Sequence, residues 1–164
     1  MQPLKVRMKY FGPYADETAD FTKFANHPLF LISGRTGSGK TTIFDAMSFA
    51  LFGETSGQVR DGSQLRSNFA SLDDETEVEF QFEHQGINYS LVRKPKQKLH
   101  KKRGKGTKIY PESTQLTFYD KNQQEVTLTK NRQVDDKIVE LLGLTPAQFR
   151  QVVLLPQAQF NQFL

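Results

Sequence analysis

Between Leu29 and Met47 the chain reads LFLISGRTGSGKTTIFDAM, and residues 34–41 within it satisfy G-x-x-x-x-G-K-[ST]. No other stretch constrains the fold as strongly. The spacing has physical meaning only where a buried strand ends, the backbone turns tightly around an anion and a helix begins. Both flanks carry the required pattern. HPLFLISG is a continuous apolar run of strand length, as in a strand covered on both faces. GKTTIFDAMSFALFG carries Ile43, Ala46, Met47, Ala50 and Leu51 at helical spacing and is closed by Gly53.

The residue types set the chemistry. Gly34, Gly37 and Gly39 let the backbone N–H groups of residues 36–41 turn inward around phosphate oxygens, and the helix start adds its positive dipole. Lys40 is spaced to reach the β- and γ-phosphates of ATP, and the Thr41 hydroxyl to ligate Mg2+. Ser38 and Thr42 are candidate donors to phosphate oxygens. Arg35 and Thr36 lie inside the loop, where their side chains face either phosphate or solvent. Hydrolysis needs more: a second acid on the metal and a group that positions the attacking water. No apolar strand ending in Asp supplies them. The nearest stretch, QLTFYD, reads as an exposed strand, and the D-x-x-G and N-K-x-D of GTPases are absent.

Elsewhere the periodicity changes twice. PLKVRMKYFGPY places Leu4, Val6, Met8 and Tyr10 on one face, and YADETADF follows as a second strand after a Gly-Pro turn. Residues 54–74 have no sustained period and read as a loop with one short helix at most. ETEVEFQFEHQGINYSLVRK alternates on both sides of HQG, with Val78, Phe80 and Phe82 on one arm and Ile87, Tyr89 and Leu91 on the other, which predicts a hairpin. STQLTFYDKNQQEVTLTK adds two strands, completing a small antiparallel sheet carried on the nucleotide core. From residue 131 the pattern is helical, with Val134, Ile138, Leu141 and Leu142 on one face.

Charge is concentrated. Residues 93–108 hold Arg93, Lys94, Lys96, Lys98, Lys101, Lys102, Arg103, Lys105 and Lys108 and no acid, although the whole chain has 22 Lys and Arg against 18 Asp and Glu. The block sits between two strand patterns and reads as a hairpin tip. Two readings stay open: contact with the phosphates of double-stranded DNA, or a solvated charged loop. Aromatic residues for base stacking are absent within it, which argues against sequence or single-strand specificity. The three histidines lack ligand spacing. With no cysteine, no signal-peptide pattern at the start and apolar runs of about four residues, far below the roughly 20 of a membrane span, the expected location is the cytoplasm.

Taken together, GRTGSGKTTIFDAMSFALFGETSG, LRSNFA and FRQVVLLPQAQFNQFL resemble the N-terminal ATPase segment of the SbcC family, large subunits of bacterial DNA-repair nucleases. The resemblance implies an α/β P-loop fold, the N-terminal lobe of a split ABC-type ATPase head over residues 1–164, with an antiparallel β subdomain and C-terminal helices. It implies that a long coiled coil and a C-terminal lobe carrying the acidic strand lie outside this chain, which accounts for the missing acids. Gln157, in LLPQAQF, matches the family's Q-loop glutamine (region 152–160), which touches Mg2+ and senses the γ-phosphate. On composition alone it reads equally well as a surface residue in a glutamine-rich stretch. Ala158 follows it where the family usually has glycine. Arg66, in LRSNFA, approaches nucleotide or partner, or is a plain surface arginine. The implied partners are the chain's own C-terminal lobe, a second head, an SbcD-type nuclease subunit and double-stranded DNA, with no membrane. The alternatives are a chromosome-organising SMC-type head without a nuclease and a small P-loop kinase. The kinase fits the hydrophobic FRQVVLLPQ ending poorly.

Overall fold

The computed structural model describes residues 1–24, 31–55 and 64–152. Strong alternation in the first residues produces β1 (Gln2–Lys9) and β2 (Asp16–Asp20), antiparallel with Val6 opposite Ala19. The HQG signal produces the hairpin of β3 (Glu77–His84) and β4 (Ile87–Lys94). Its two-residue turn holds Gln85 at φ 53° and Gly86 at φ 78°, the paired left-handed geometry whose twist matches that of the strands. These pairs form one unit, because β1 also pairs with β3, setting Val6 opposite Phe80 and Met8 opposite Val78.

Two further strands, β7 (Ser113–Tyr119) and β8 (Glu125–Leu128), complete a six-stranded antiparallel sheet in the order β2-β1-β3-β4-β7-β8. The sheet is therefore larger than the sequence implied and includes the N-terminal strands. Between β4 and β7 the chain makes a separate two-stranded ribbon, β5 (Gln97–His100) with β6 (Thr107–Tyr110).

One face of the sheet is the core. Val6, Met8, Val78, Phe80, Phe82, Tyr89, Leu91 and Leu116 bury there beneath α1 (Lys40–Phe52) and α2 (Asn131–Leu142). The helix α1 buries the predicted Ala46, Met47, Ala50 and Leu51 together with Phe49, which the period did not single out, and α2 buries Val134 and Ile138; Ile43, Leu141 and Leu142 are partly buried against the same core. A short α3 (Pro146–Val152) starts at a capping box. Gln148 N–H donates to the Thr145 hydroxyl at 3.3 Å while Thr145 N–H donates to the Gln148 amide oxygen at 2.9 Å, and Pro146 occupies the first helical position. Phe149 then packs on Phe52, with ring centroids 5.1 Å apart.

The apolar run before the phosphate loop departs from expectation. Residues 27–30 lie outside the described residues, and residues 31–34 form no strand, with Leu31 88% exposed. A strand buried on both faces needs neighbours on both sides, and among the described residues every pairing in the six-stranded sheet is made by antiparallel strands that leave residues 31–34 out.

Candidate nucleotide site

Residues 34–39 wrap into a tight loop whose exit is the start of α1. Gly37 and Gly39 sit at φ 83° and 87°, a region costly for side chains. Within the loop, Ser38 N–H donates to the Arg35 carbonyl at 3.1 Å, and Thr42 N–H to the Gly39 carbonyl at 2.9 Å. The first turn of α1 leaves further N–H groups without intrahelical acceptors, pointing out of the helix start. Lys40 folds across this opening, its Nζ 2.8 Å from the carbonyl oxygens of both Gly34 and Arg35. An ammonium has three donors, so one remains for an anion. Thr41 is exposed, and Thr42 and Gly39 are half-buried.

The turn between β1 and β2 braces the loop from one side. A Cβ placed on Gly39 would lie 2.6 Å from the Tyr14 Oη, and one on Gly12 would lie 2.7 Å from the Thr42 Cγ2. Tyr14 donates its hydroxyl to the Gly39 carbonyl at 3.0 Å. Burial, and then the Glu17 carboxylate, push the Tyr14 phenol up, so it remains a protonated donor at neutral pH. Sequence reading missed this contact. The Gly-Pro-Tyr stretch signals a turn, but nothing in it says which loop the turn will meet.

These residues fit a polyphosphate: a cradle with no room for a Cβ at Gly39, an ammonium with a spare donor, and a helix start. They supply less for a metal. Among the described residues no group of three or more His, Asp or Glu is arranged to hold a metal ion. Gln157, the expected second ligand beside Thr41, lies outside the described residues.

The basic block divides. Arg93 is 1% exposed, so it is no part of a DNA-facing surface. Its Nε donates to the Ala50 carbonyl at 2.9 Å and one Nη to that of Leu51 at 3.4 Å, while Glu112 and Asp135 each accept at 2.6 Å. The cause is strand parity: Ile87, Tyr89 and Leu91 face the core, and Arg93 is the next residue of that series. Extending the alternation by one step would have found it. Lys94 points the other way and is bound by Glu75 at 2.7 Å and Glu77 at 3.0 Å. Burial lowers the Lys94 ammonium, and these carboxylates more than offset it, so its net shift is upward. It too is committed within the fold.

The remaining cations belong to the ribbon. Lys96 and Lys98 are exposed on β5 and its approach, alternating with the buried Gln97 and Leu99. Lys108 lies 5.4 Å from the centre of the Tyr110 ring. Lys101, Lys102, Arg103 and Lys105 are exposed at the tip, where Gly104 and Gly106 take φ 82° and 93°. His100 anchors the ribbon through Asp73, at 2.7 Å. Arg66, a candidate for nucleotide or partner, instead ties the loop before β3 to the ribbon's root: its guanidinium donates to Thr76 at 3.1 Å, Gln97 at 2.9 Å and the Ser71 carbonyl.

Comparison with known proteins agrees with this geometry. A family model described as an AAA domain matches residues 5–164. Proteins named as the SbcC subunit of nuclease SbcCD are similar along the whole chain: 44% identical in Vibrio cholerae serotype O1, 43% in Lactococcus lactis and 40% in Staphylococcus aureus strain JH9. The chain spans 16% of the length of each of these relatives. Among solved structures, one from work on ATP-driven dimerization and DNA-stimulated activation of SMC ATPases superposes with a TM-score of 0.51 at 15% identity, covering 99% of this chain and 90% of the other. That likeness speaks for the P-loop ATPase-head fold alone. With the motif, the cradle and a match over nearly every residue, the chain belongs to the AAA-domain family, alongside the matching segment of the SbcC proteins.

Proposed function

We propose that this chain is the ATP-binding lobe of an SbcC-like DNA-repair ATPase that regulates a partner nuclease at DNA ends. The observation that carries the reading is the cradle of residues 34–42 with Lys40 folded across it, in a chain similar throughout to the SbcC proteins. The loop amides and the free donor of Lys40 bind and orient the triphosphate, and Thr41 together with Gln157 would hold the magnesium ion. That ion would supply charge neutralisation between the β- and γ-phosphates. Positioning of the attacking water and a second face against the γ-phosphate come from elsewhere: the chain's own C-terminal lobe and a second head. The nuclease partner is an SbcD-type subunit acting in the cytoplasm.

Two measurements test this. Calorimetry with Mg-ATP on the full-length protein should register binding that Lys40→Ala removes; equal binding by both would sink the phosphate-loop assignment. Phosphate release should need both lobes and fall with Gln157→Ala, whereas turnover by residues 1–164 alone, abolished by Lys40→Ala, would show a complete site within them.

Duplex DNA is the proposed ligand of the ribbon tip, through Lys96, Lys98, Lys101, Lys102, Arg103, Lys105 and Lys108. Replacing the four tip cations, Lys101, Lys102, Arg103 and Lys105, by glutamine should flatten the salt dependence by roughly 0.9 for each phosphate no longer neutralised. An unchanged slope would leave the tip a solvated loop. A second reading is a chromosome-organising SMC-type head with no nuclease, with which the shared fold is compatible. Co-purification of a nuclease subunit with the full-length protein separates the two.

A further inference from the structure

We propose that Tyr14 is a positioning residue for the phosphate loop: its hydroxyl pins the Gly39 carbonyl and thereby fixes the direction of the Lys40 backbone N–H toward bound phosphate. The inference rests on the nucleotide reading above and adds a residue that lies 25 positions before the loop's last glycine.

The geometry runs through a single peptide unit. The Gly39 carbonyl and the Lys40 N–H share one planar group, and in a trans peptide they point in opposite directions. No peptide bond among the described residues is cis. Lys40 is the first residue of α1, so its N–H is one of those the helix leaves without an internal acceptor. Whatever holds the carbonyl of this unit therefore aims its N–H. As the N-cap carbonyl it takes the first bond of the helix; Thr42 N–H also donates to it at 2.9 Å, and the Tyr14 hydroxyl, at 3.0 Å, holds it from outside the helix. The helix donors draw the oxygen along the axis, and the tyrosine adds a hold from the side that opposes its turning into the cradle.

Tyr14 is itself held. Its N–H donates to the Phe11 carbonyl at 3.0 Å, Tyr10 N–H to the Ala15 carbonyl at 2.7 Å, and Gly12 N–H to the Leu65 carbonyl at 2.9 Å. Phe11 is buried against Phe49 of α1, with ring centroids 5.7 Å apart. The brace is thus anchored in the same core as the helix whose start it shapes. The ring and Pro13 also occupy the space that a side chain at position 39 would need. Glycine at 39 and tyrosine at 14 are one fitted pair.

Tyr14→Phe isolates the hydroxyl, since the ring and its packing stay. The experiment measures binding of Mg-ATP and, separately, of Mg-tripolyphosphate by the full-length protein carrying Tyr14→Phe, Lys40→Ala or neither, together with KM and kcat for ATP. One lost hydrogen bond predicts that Tyr14→Phe weakens both ligands by a similar factor of about 2 to 10. It should also raise KM while leaving kcat nearly unchanged, as for an interaction equally strong in ground and transition states. A purely structural role would instead lower kcat with the fraction of folded enzyme and leave KM alone. Loss confined to ATP, with tripolyphosphate binding as in the unmodified protein, would mean that the tyrosine serves the base and would overturn the proposal. So would unchanged affinity for both ligands while Lys40→Ala loses them. If Lys40→Ala also binds both normally, the phosphate-loop reading itself fails.

Discussion

The two ends of α1 are built on opposite plans. At its start the helix is open: Thr41 lies at the surface and Lys40 is half-buried, first-turn N–H groups lack intrahelical acceptors, and the lysine's ammonium bonds to two carbonyls of the loop it crosses. At its finish the helix is closed. The carbonyls of Ala50 and Leu51, at the negative end of the dipole, receive the guanidinium of a buried arginine, and Gly53 turns the chain away with its N–H on the Phe49 carbonyl at 2.7 Å. Each end presents unsatisfied backbone groups by construction. One end leaves them open, where the proposed nucleotide would bind, and the other satisfies them with Arg93, which also reaches Glu112 and Asp135 and so joins α1, β4 and α2. Solvent-facing polarity that the fold does not consume is the mark of the site; consumed polarity is the mark of the scaffold.

If the closed end is scaffold, Arg93→Met should damage stability and spare binding. The substitution strands two carboxylates and two helix carbonyls. Removing one partner of a buried ion pair costs about 3–5 kcal/mol, and the lower figure applies here because Glu112 and Asp135 remain 34% and 47% exposed. Urea unfolding should show a loss of about 3 kcal/mol. Nucleotide affinity measured well below the transition should be unchanged; a loss there would make Arg93 part of the site's support.

The open end should respond in reverse. Lys40→Ala removes a charge-assisted donor, and we expect affinity for Mg-ATP to fall about 100-fold, about 2.7 kcal/mol, with stability altered by less than about 0.5 kcal/mol. Gly39→Ala is intermediate and mixed. The left-handed backbone costs about 1–2 kcal/mol with a side chain, and the new Cβ drives the Tyr14 ring from its place. Affinity should drop about tenfold, together with a stability loss of about 1–2 kcal/mol.

This contrast was only partly written in the sequence. The open end stands out as a candidate because a phosphate loop needs particular residues at fixed spacing, which singles out Gly34, Gly37, Gly39, Lys40 and Thr41. Alternation likewise revealed the β3–β4 hairpin and the core faces of α1 and α2. The closed end was hidden by composition. Arg93 heads a run of nine cations and reads as surface, although its strand parity points inward, where helix carbonyls and two acids make a polar niche for it. The ribbon was obscured for the same reason, since the inward Gln97 and Leu99 are interleaved with lysines. Tyr14 was illegible for another cause: its partner is set by how a turn folds over a distant loop, and local pattern carries no such information.

Gly53→Ala gives the smallest expected effect and the sharpest test of whether the two ends are independent. Gly53, at φ 74°, is the backbone counterpart of Gly39 at the other terminus. A Cβ there would lie 3.0 Å from the Arg93 Nη1 and 3.3 Å from the Glu112 Oε1, so the added methyl strains the turn and nudges the guanidinium rather than evicting it. The expected cost is about 1 kcal/mol, from the left-handed conformation that glycine accepts and alanine resists. It should register in unfolding alone. Helix α1 spans 13 residues, and six of them, Ala46 to Leu51, are buried, so a shift at Gly53 must pass through packed side chains to reach Lys40. Close-packed interiors yield little, and such a strain is absorbed locally. Calorimetry on Gly53→Ala and Gly39→Ala side by side decides the matter. Equal loss of nucleotide affinity in the two would mean that α1 moves as a rigid lever between the Arg93 network and the phosphate loop, and the separation of scaffold from site would fall.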